Sequence, residues 1–136
     1  MYKFEIITTG KLKENWLKLA ILEYEKRLTN RAKIEWIIKK DEKELFNFLK
    51  DKKKYICLDP KGKSFTSENF SKFLQKSIKT TFVIGGKNKI PDFIKKRASL
   101  VLSLSSLTFT HKMTRIILIE QIYRHLEILK GSKYHE

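Results

Sequence analysis

The chain has 136 residues, of which 41% are hydrophobic and 33% charged, so it is long enough for one domain with one core. No apolar run approaches the roughly 20 residues of a membrane-spanning helix, and Glu5 interrupts the short apolar start, so we expect neither a membrane span nor a secretory signal. Cys57 is the only cysteine, which excludes an intramolecular disulfide and favours a cytoplasmic location.

Strand-like and helix-like segments alternate from the first residues onward. The predicted elements are a strand over 3–8, a helix over 12–28, a strand over 33–38, a helix over 41–50 and a strand over 55–58. The first helix is predicted to have one buried face, formed by residues at i+4 steps and two beside them: Leu12, Trp16, Ala20, Tyr24 and Leu28, with Leu17 and Ile21. Residues 59–62 (DPKG) are typical of a turn that ends the third strand.

The second half of the chain continues this alternation. The predicted elements are a helix from its N-cap Ser67 to Ile78, a strand over 80–84, a short helix from Pro91 to Arg97, a strand over 100–104 and a helix over 111–130 ended by Gly131. This order predicts an α/β fold in a single domain over residues 1–136. We expect a mainly parallel sheet of about five strands flanked by helices.

Three segments follow strands directly and form the candidate site: residues 58–63, 85–89 and 104–110. Because ligands of open parallel sheets bind at the carboxyl ends of the strands, all three should meet at one edge. The Gly85-Gly86 pair permits close approach of a ligand or a backbone, although a plain turn is an equal interpretation. Residues 104–109 (LSSLTF) combine backbone polar groups with apolar walls, which suits an uncharged ring such as a purine, although a polar connector also fits.

The remaining candidate side chains have plain structural interpretations. Cys57 lies in an apolar strand and is interpreted as a buried small hydrophobe. The histidines lack the spacing of metal ligands, so no metal is expected. We expect His111 to begin the last helix, and His125, which follows Arg124, to lie on the surface. His135 should be frayed and inert unless the tail folds over the site.

The charge of the chain points to a polyanionic partner. Thirty basic residues against 15 acidic ones give a formal charge of +15 and a pI near 9.9, and such a positive field attracts nucleic acid. A proteome that places Lys at any tolerant surface position is the alternative explanation. The candidate phosphate contacts form two groups: Lys87, Lys89, Lys95, Lys96 and Arg97 beside the candidate site, and Lys112, Arg115, Arg124, Lys130 and Lys133 further along.

Several short strings occur in a specific order and spacing over essentially the whole chain. They are residues 10–14 (GKLKE), 23–28 (EYEKRL), 58–59 (LD), 62–63 (GK), 82–86 (FVIGG), 102–109 (LSLSSLTF), 111–115 (HKMTR), 119–124 (IEQIYR), Gly131 and 134–135 (YH). Together they resemble the RlmH family of SPOUT methyltransferases.

The resemblance implies a fold, a reaction and a site. It implies a homodimer with a C-terminal deep trefoil knot that uses S-adenosylmethionine, without a metal, to methylate N3 of a pseudouridine (position 1915) in 23S ribosomal RNA on the ribosome. The cofactor pocket it implies is lined by Leu58, Gly85, Leu104, Ser105, Ser106, Leu107, Thr108 and Phe109. The tail would bring Tyr134 and His135 to the reaction, with His135 as the proton acceptor or orienting group, and Arg115 would contact the RNA or the cofactor carboxylate.

The chain departs from the family pattern at three positions. Lys89 replaces a glycine, Thr110 replaces a proline and is expected to loosen the start of the last helix, and Glu136 replaces a basic residue after Tyr-His. Two other functions stay open. One is a non-catalytic basic module that binds ribosomes or RNA, and the other is a SPOUT methyltransferase acting on transfer RNA.

Overall fold

Runs rich in β-branched and aromatic residues form five strands, and the segments with a helical apolar period form five helices. A computed structural model describes all residues, 1–136. The elements are β1 (Tyr2–Thr9), α1 (Asn15–Leu28), β2 (Ala32–Lys39), α2 (Glu42–Lys50), β3 (Ile56–Ser64), α3 (Ser67–Leu74), β4 (Lys79–Val83), α4 (Asp92–Arg97), β5 (Leu100–Ser103) and α5 (His111–Lys130). No helix combines the length and the apolar character that a membrane span requires.

The five strands form one sheet in the order β2-β1-β4-β3-β5, and every adjacent pair is parallel. The predicted fold class of a mainly parallel five-stranded sheet flanked by helices is therefore confirmed. Because all strands run in the same direction, their carboxyl ends lie along one edge of the sheet.

Helices cover both faces of the sheet, which explains why its central strands are apolar on both sides. Side chains alternate along β1, so that Phe4 and Ile6 join the core beneath α1, α3 and α5, while Ile7 joins the core beneath α2 and α4. Full burial of one such side chain stabilises the fold by about 1.5–3 kcal/mol. The two cores therefore hold the strand ends in fixed relative positions.

The last helix begins and ends where the sequence predicts. The Thr110 hydroxyl accepts a hydrogen bond from the Met113 N–H at 3.2 Å, so this threonine caps α5 rather than loosening its start. Gly131 follows the helix with φ of 74°, the left-handed conformation that glycine adopts readily. With 20 residues, α5 is about 30 Å long.

Four other local predictions are wrong. The first helix begins at Asn15 rather than Leu12, and Trp16 is 60% exposed, because the predicted face is buried only at Leu17, Ile21 and Leu28. Residues 59–62 do not end β3. They form an irregularity, after which Lys63 and Ser64 pair with β5 again.

The other two wrong predictions concern α3 and the residue that packs on it. Thr66, not Ser67, caps α3 by accepting from the Asn69 N–H, and the helix ends before Ile78, which is exposed. His125 is only 1% exposed, because it packs between α5 and α3 with Nδ1 2.6 Å from the Ser71 hydroxyl. Burial lowers the pKa of His125 to about 4.

Candidate functional site

A cavity of about 620 Å³ opens at the carboxyl edge of the sheet. Its walls are residues 58–61 of β3, residues 84–90 after β4, residues 104, 105 and 107–110 after β5, and His111 and Thr114 from the first turn of α5. The three segments, which were predicted to meet at the carboxyl ends of parallel strands, therefore share one cavity.

Of the eight residues implied as cofactor contacts, seven line this cavity: Leu58, Gly85, Leu104, Ser105, Leu107, Thr108 and Phe109. Ser106 is exposed and does not line it. The difference arises from a local turn, in which the Ser105 hydroxyl accepts from the Leu107 N–H at 3.0 Å. The structure brings the residues together, and their role in binding stays a prediction.

The Gly85-Gly86 pair fits its surroundings because a side chain at either position would crowd its neighbours. A Cβ on Gly85 would lie 3.1 Å from the Asn88 carbonyl oxygen and 3.2 Å from Ile90 Cγ1. A Cβ on Gly86 would overlap the Thr9 hydroxyl. The pair thus lets the segment after β4 pack closely on the end of β1 and form one wall of the cavity.

The cavity has a basic lining. Asp59 is its only acidic residue, and it is already paired, since it accepts hydrogen bonds from Lys95 Nζ at 2.9 Å and from the Lys61 N–H at 2.8 Å. Burial opposes ionisation of Asp59, but these hydrogen bonds hold its pKa below the ordinary value. Lys61, Lys87 and Lys89 also line the cavity without a carboxylate partner. Lys89, which the sequence comparison with the family pattern predicted to replace a glycine, thus lies in the cavity wall.

His111 is a wall residue that the sequence assigned only to the start of the helix. Burial lowers the pKa of His111, and the neighbouring charges of Arg115 and Lys112 lower it further. The imidazole is therefore neutral at pH 7. No group of three or more His, Cys, Asp and Glu side chains is placed to bind a metal ion.

Two further side chains with reactive groups lie apart from the cavity. Arg115 is 2% exposed, and its Nη2 donates to the carbonyls of Thr9 at 2.8 Å and Gly10 at 2.7 Å, while its Nε has no partner. It thus supports the end of β1 from behind the cavity wall. Cys57 is fully buried, as predicted, and burial raises the pKa of its thiol to about 12, which keeps the thiol protonated at neutral pH.

The C-terminal tail is docked rather than frayed. The Tyr134 hydroxyl donates to Glu120 at 2.7 Å, and its ring packs edge-on against Tyr123. His135 lies between Arg124, at 3.0 Å, and Glu68, at 2.7 Å. Neither tail residue lines the cavity.

The docked tail is far from the cavity of its own chain. Arg124 lies 13 residues beyond His111 in α5, a separation of about 20 Å along the helix. The structure therefore does not bring His135 together with the cavity residues within one chain.

Comparisons with known proteins agree over the whole length. A profile of the family described as "Predicted SPOUT methyltransferase" matches residues 2–135. The chain is 46% identical to the ribosomal RNA large subunit methyltransferase H of Protochlamydia amoebophila, with all of both chains covered. It is 39% identical to the protein of that name from Prochlorococcus marinus, over 98% of this chain and 95% of the relative. The chain belongs to the SPOUT methyltransferases, in the RlmH family of ribosomal RNA large subunit methyltransferases.

Proposed function

We propose that the protein transfers a methyl group from S-adenosylmethionine to N3 of a pseudouridine in large-subunit ribosomal RNA, with the assembled ribosome as substrate. The observation that carries this proposal is the cavity formed by three strand-end segments in a chain whose relatives are named ribosomal RNA methyltransferases. Residues 1–136 act as one domain in this proposal.

The cavity residues fit S-adenosylmethionine. The volume of the cavity lies within the roughly 300–1,000 Å³ range of small-molecule sites. Leu58, Leu104 and Phe109 supply apolar walls for the adenine ring, and the backbone around Gly85 is unshielded by a side chain. When bound, the sulfonium of S-adenosylmethionine supplies an electrophilic methyl group. The protein's part is to hold the donor and the base in line, and such positioning lowers barriers by up to roughly 7–11 kcal/mol in favourable cases.

The pseudouridine N3 carries a proton that has to leave before nitrogen can act as the nucleophile. An imidazole is the most frequent general base in enzymes, and His135 is the proposed proton acceptor. Tyr134 lies beside it and would stack on or hydrogen-bond to the nucleotide. Arg115 is not proposed to touch substrate, because both contacts of its Nη2 hold the end of β1.

The separation of tail and cavity favours a homodimer as the active form. Because about 20 Å of α5 lies between them, His135 of one subunit would act at the cavity of the other. The C-terminal trefoil knot expected from the resemblance is part of the proposal.

The basic lining of the cavity supports an RNA substrate. A ribosomal substrate in turn supports the proposed cytoplasmic location. Lys87, Lys89 and Lys96 are exposed and are proposed phosphate contacts. Lys95 is paired with Asp59, and the Arg97 guanidinium donates to the Lys50 carbonyl, so these two are less available.

The test is methyl transfer from labelled S-adenosylmethionine to purified ribosomes, with bulk transfer RNA as the competing substrate, followed by mapping of the modified base. We expect labelled N3-methylpseudouridine in large-subunit RNA. Ribosome binding without transfer would support a non-catalytic module, and label in transfer RNA would support the other alternative.

A further inference from the structure

The hydrogen bonds of the docked tail determine which nitrogen of His135 carries its proton. A guanidinium can only donate, so Arg124 Nη1, 3.0 Å from His135 Nδ1, makes Nδ1 an acceptor. A carboxylate accepts, so Glu68 Oε1, 2.7 Å from His135 Nε2, receives the Nε2–H. The two partners together select the neutral tautomer with the proton on Nε2.

Both partners of His135 are themselves held in place. Arg124 Nη2 donates to Glu120 at 3.0 Å, and its guanidinium lies 4.9 Å from the centre of the Tyr134 ring. Glu68 lies in the first turn of α3, which is fixed on α5 because the Ser67 hydroxyl donates to Gln121 at 2.8 Å. Glu68 is thus an exposed carboxylate on a helix that is docked against α5, and it faces the tail.

We propose that Glu68 is a positioning residue for the methyl transfer, which keeps the proton of His135 on Nε2 and the lone pair on Nδ1. This inference rests on the proposed function, in which His135 accepts the N3 proton. A carboxylate that orients an imidazole and stabilises its charged form is a recurring arrangement in catalysis. If Glu68 holds the proton on Nε2, then Nδ1 of His135 is the nitrogen that accepts the N3 proton.

In the proposed step, the proton moves from N3 of the base to Nδ1 of His135. The N3–H bond breaks with its electron pair left on N3, and the proton forms a bond to Nδ1. The resulting imidazolium still donates from Nε2 to the Glu68 carboxylate, which stabilises the new charge, and the proton then passes from Nδ1 to water. Arg124 has to release Nδ1 before this step, and an RNA phosphate is a stronger partner for its guanidinium than a neutral imidazole.

Nitrogen NMR of the whole protein, labelled with ¹⁵N-histidine, reads the tautomer directly. The chain has three histidines, and His135→Ala assigns the signal of the third. We expect a protonated Nε2 and an unprotonated Nδ1 in the wild type, and a mixture of tautomers in Glu68→Ala. The control is Glu35→Ala, which removes an exposed carboxylate on β2 and should leave the signal unchanged. A wild-type signal with Nδ1 protonated, or an unchanged signal in Glu68→Ala, would overturn the inference.

Single-turnover methylation of ribosomes separates this inference from the proposed function. Loss of the orienting hydrogen bond should slow Glu68→Ala about tenfold with S-adenosylmethionine affinity unchanged. The double variant Glu68→Ala/His135→Ala should be no slower than His135→Ala alone. A slow His135→Ala with a full-rate Glu68→Ala would overturn the role of Glu68 only. A full-rate His135→Ala would overturn the base role itself and the inference with it.

Discussion

The buried imidazole of His125 should make the stability of the fold depend on pH. In the folded protein its pKa is lowered to about 4, against an ordinary value of 6.5, because its protonated form would be desolvated between α3 and α5. A lowered pKa of a base means that the full stability is present above pH 6.5 and is lost as the pH falls towards 4.

The size of the effect follows from that difference in pKa. At about 1.4 kcal/mol per unit, complete protonation would cost about 3 kcal/mol, of which about 2 kcal/mol should be lost between pH 7 and pH 5. Buried carboxylates such as Glu5 and Asp59 also have lowered pKa values, but their contribution is lost mainly at lower pH, as the pH falls through their folded pKa values.

Urea denaturation of the wild type and of His125→Phe at the two pH values measures this loss. Phenylalanine keeps an aromatic ring against Tyr2, whose ring centre lies 5.4 Å from that of His125, but it does not titrate. We expect His125→Phe to lose much less stability than the wild type when the pH is lowered. The control His111→Gln should keep most of the wild-type difference. Equal losses in the wild type and His125→Phe would refute the reasoning.

Three other variants test the cavity and its surroundings. Gly86→Ala forces a methyl group against Thr9 and should destabilise the protein by about 1–3 kcal/mol in urea denaturation, so a variant as stable as the wild type contradicts the packing described. Thr110→Ala removes the cap of α5 and should cost about 1 kcal/mol, whereas no change would mean that the cap contributes nothing. Replacing Lys87 and Lys89 by Ala should reduce the slope of log affinity for ribosomes against log salt by about 2, and an unchanged slope would show that neither lysine meets a phosphate.

Local patterns predicted the elements of this fold but not their order in the sheet. Cap residues and apolar periods marked all five helices and five strands, although β3 extends six residues beyond its predicted end and α3 ends four residues before its predicted end. The position of β4 between β1 and β3 depends on long-range packing, which no local spacing encodes. The cavity was still predictable, because parallel strands place their carboxyl ends at one edge whatever their order.

The positions that the sequence missed share one physical cause. His125 looked like a surface residue next to Arg124, and it is buried only because α3 packs Ser71 against it. The contact of His135 with Glu68 joins residues 67 positions apart and likewise follows from tertiary packing. His111 carried one usable signal, since it follows a strand-end segment directly and had to lie near the cavity.

Titration calorimetry with S-adenosylmethionine tests the central claim most directly. The variant Leu104→Ala/Leu107→Ala removes two apolar side chains from the cavity wall, and the control Leu19→Ala/Leu22→Ala removes two exposed side chains of α1. We predict one binding site per chain in the wild type, affinity at least about tenfold weaker in the cavity variant, and wild-type affinity in the control. Absence of binding by the wild type, or equal affinity in the cavity variant, would contradict the account.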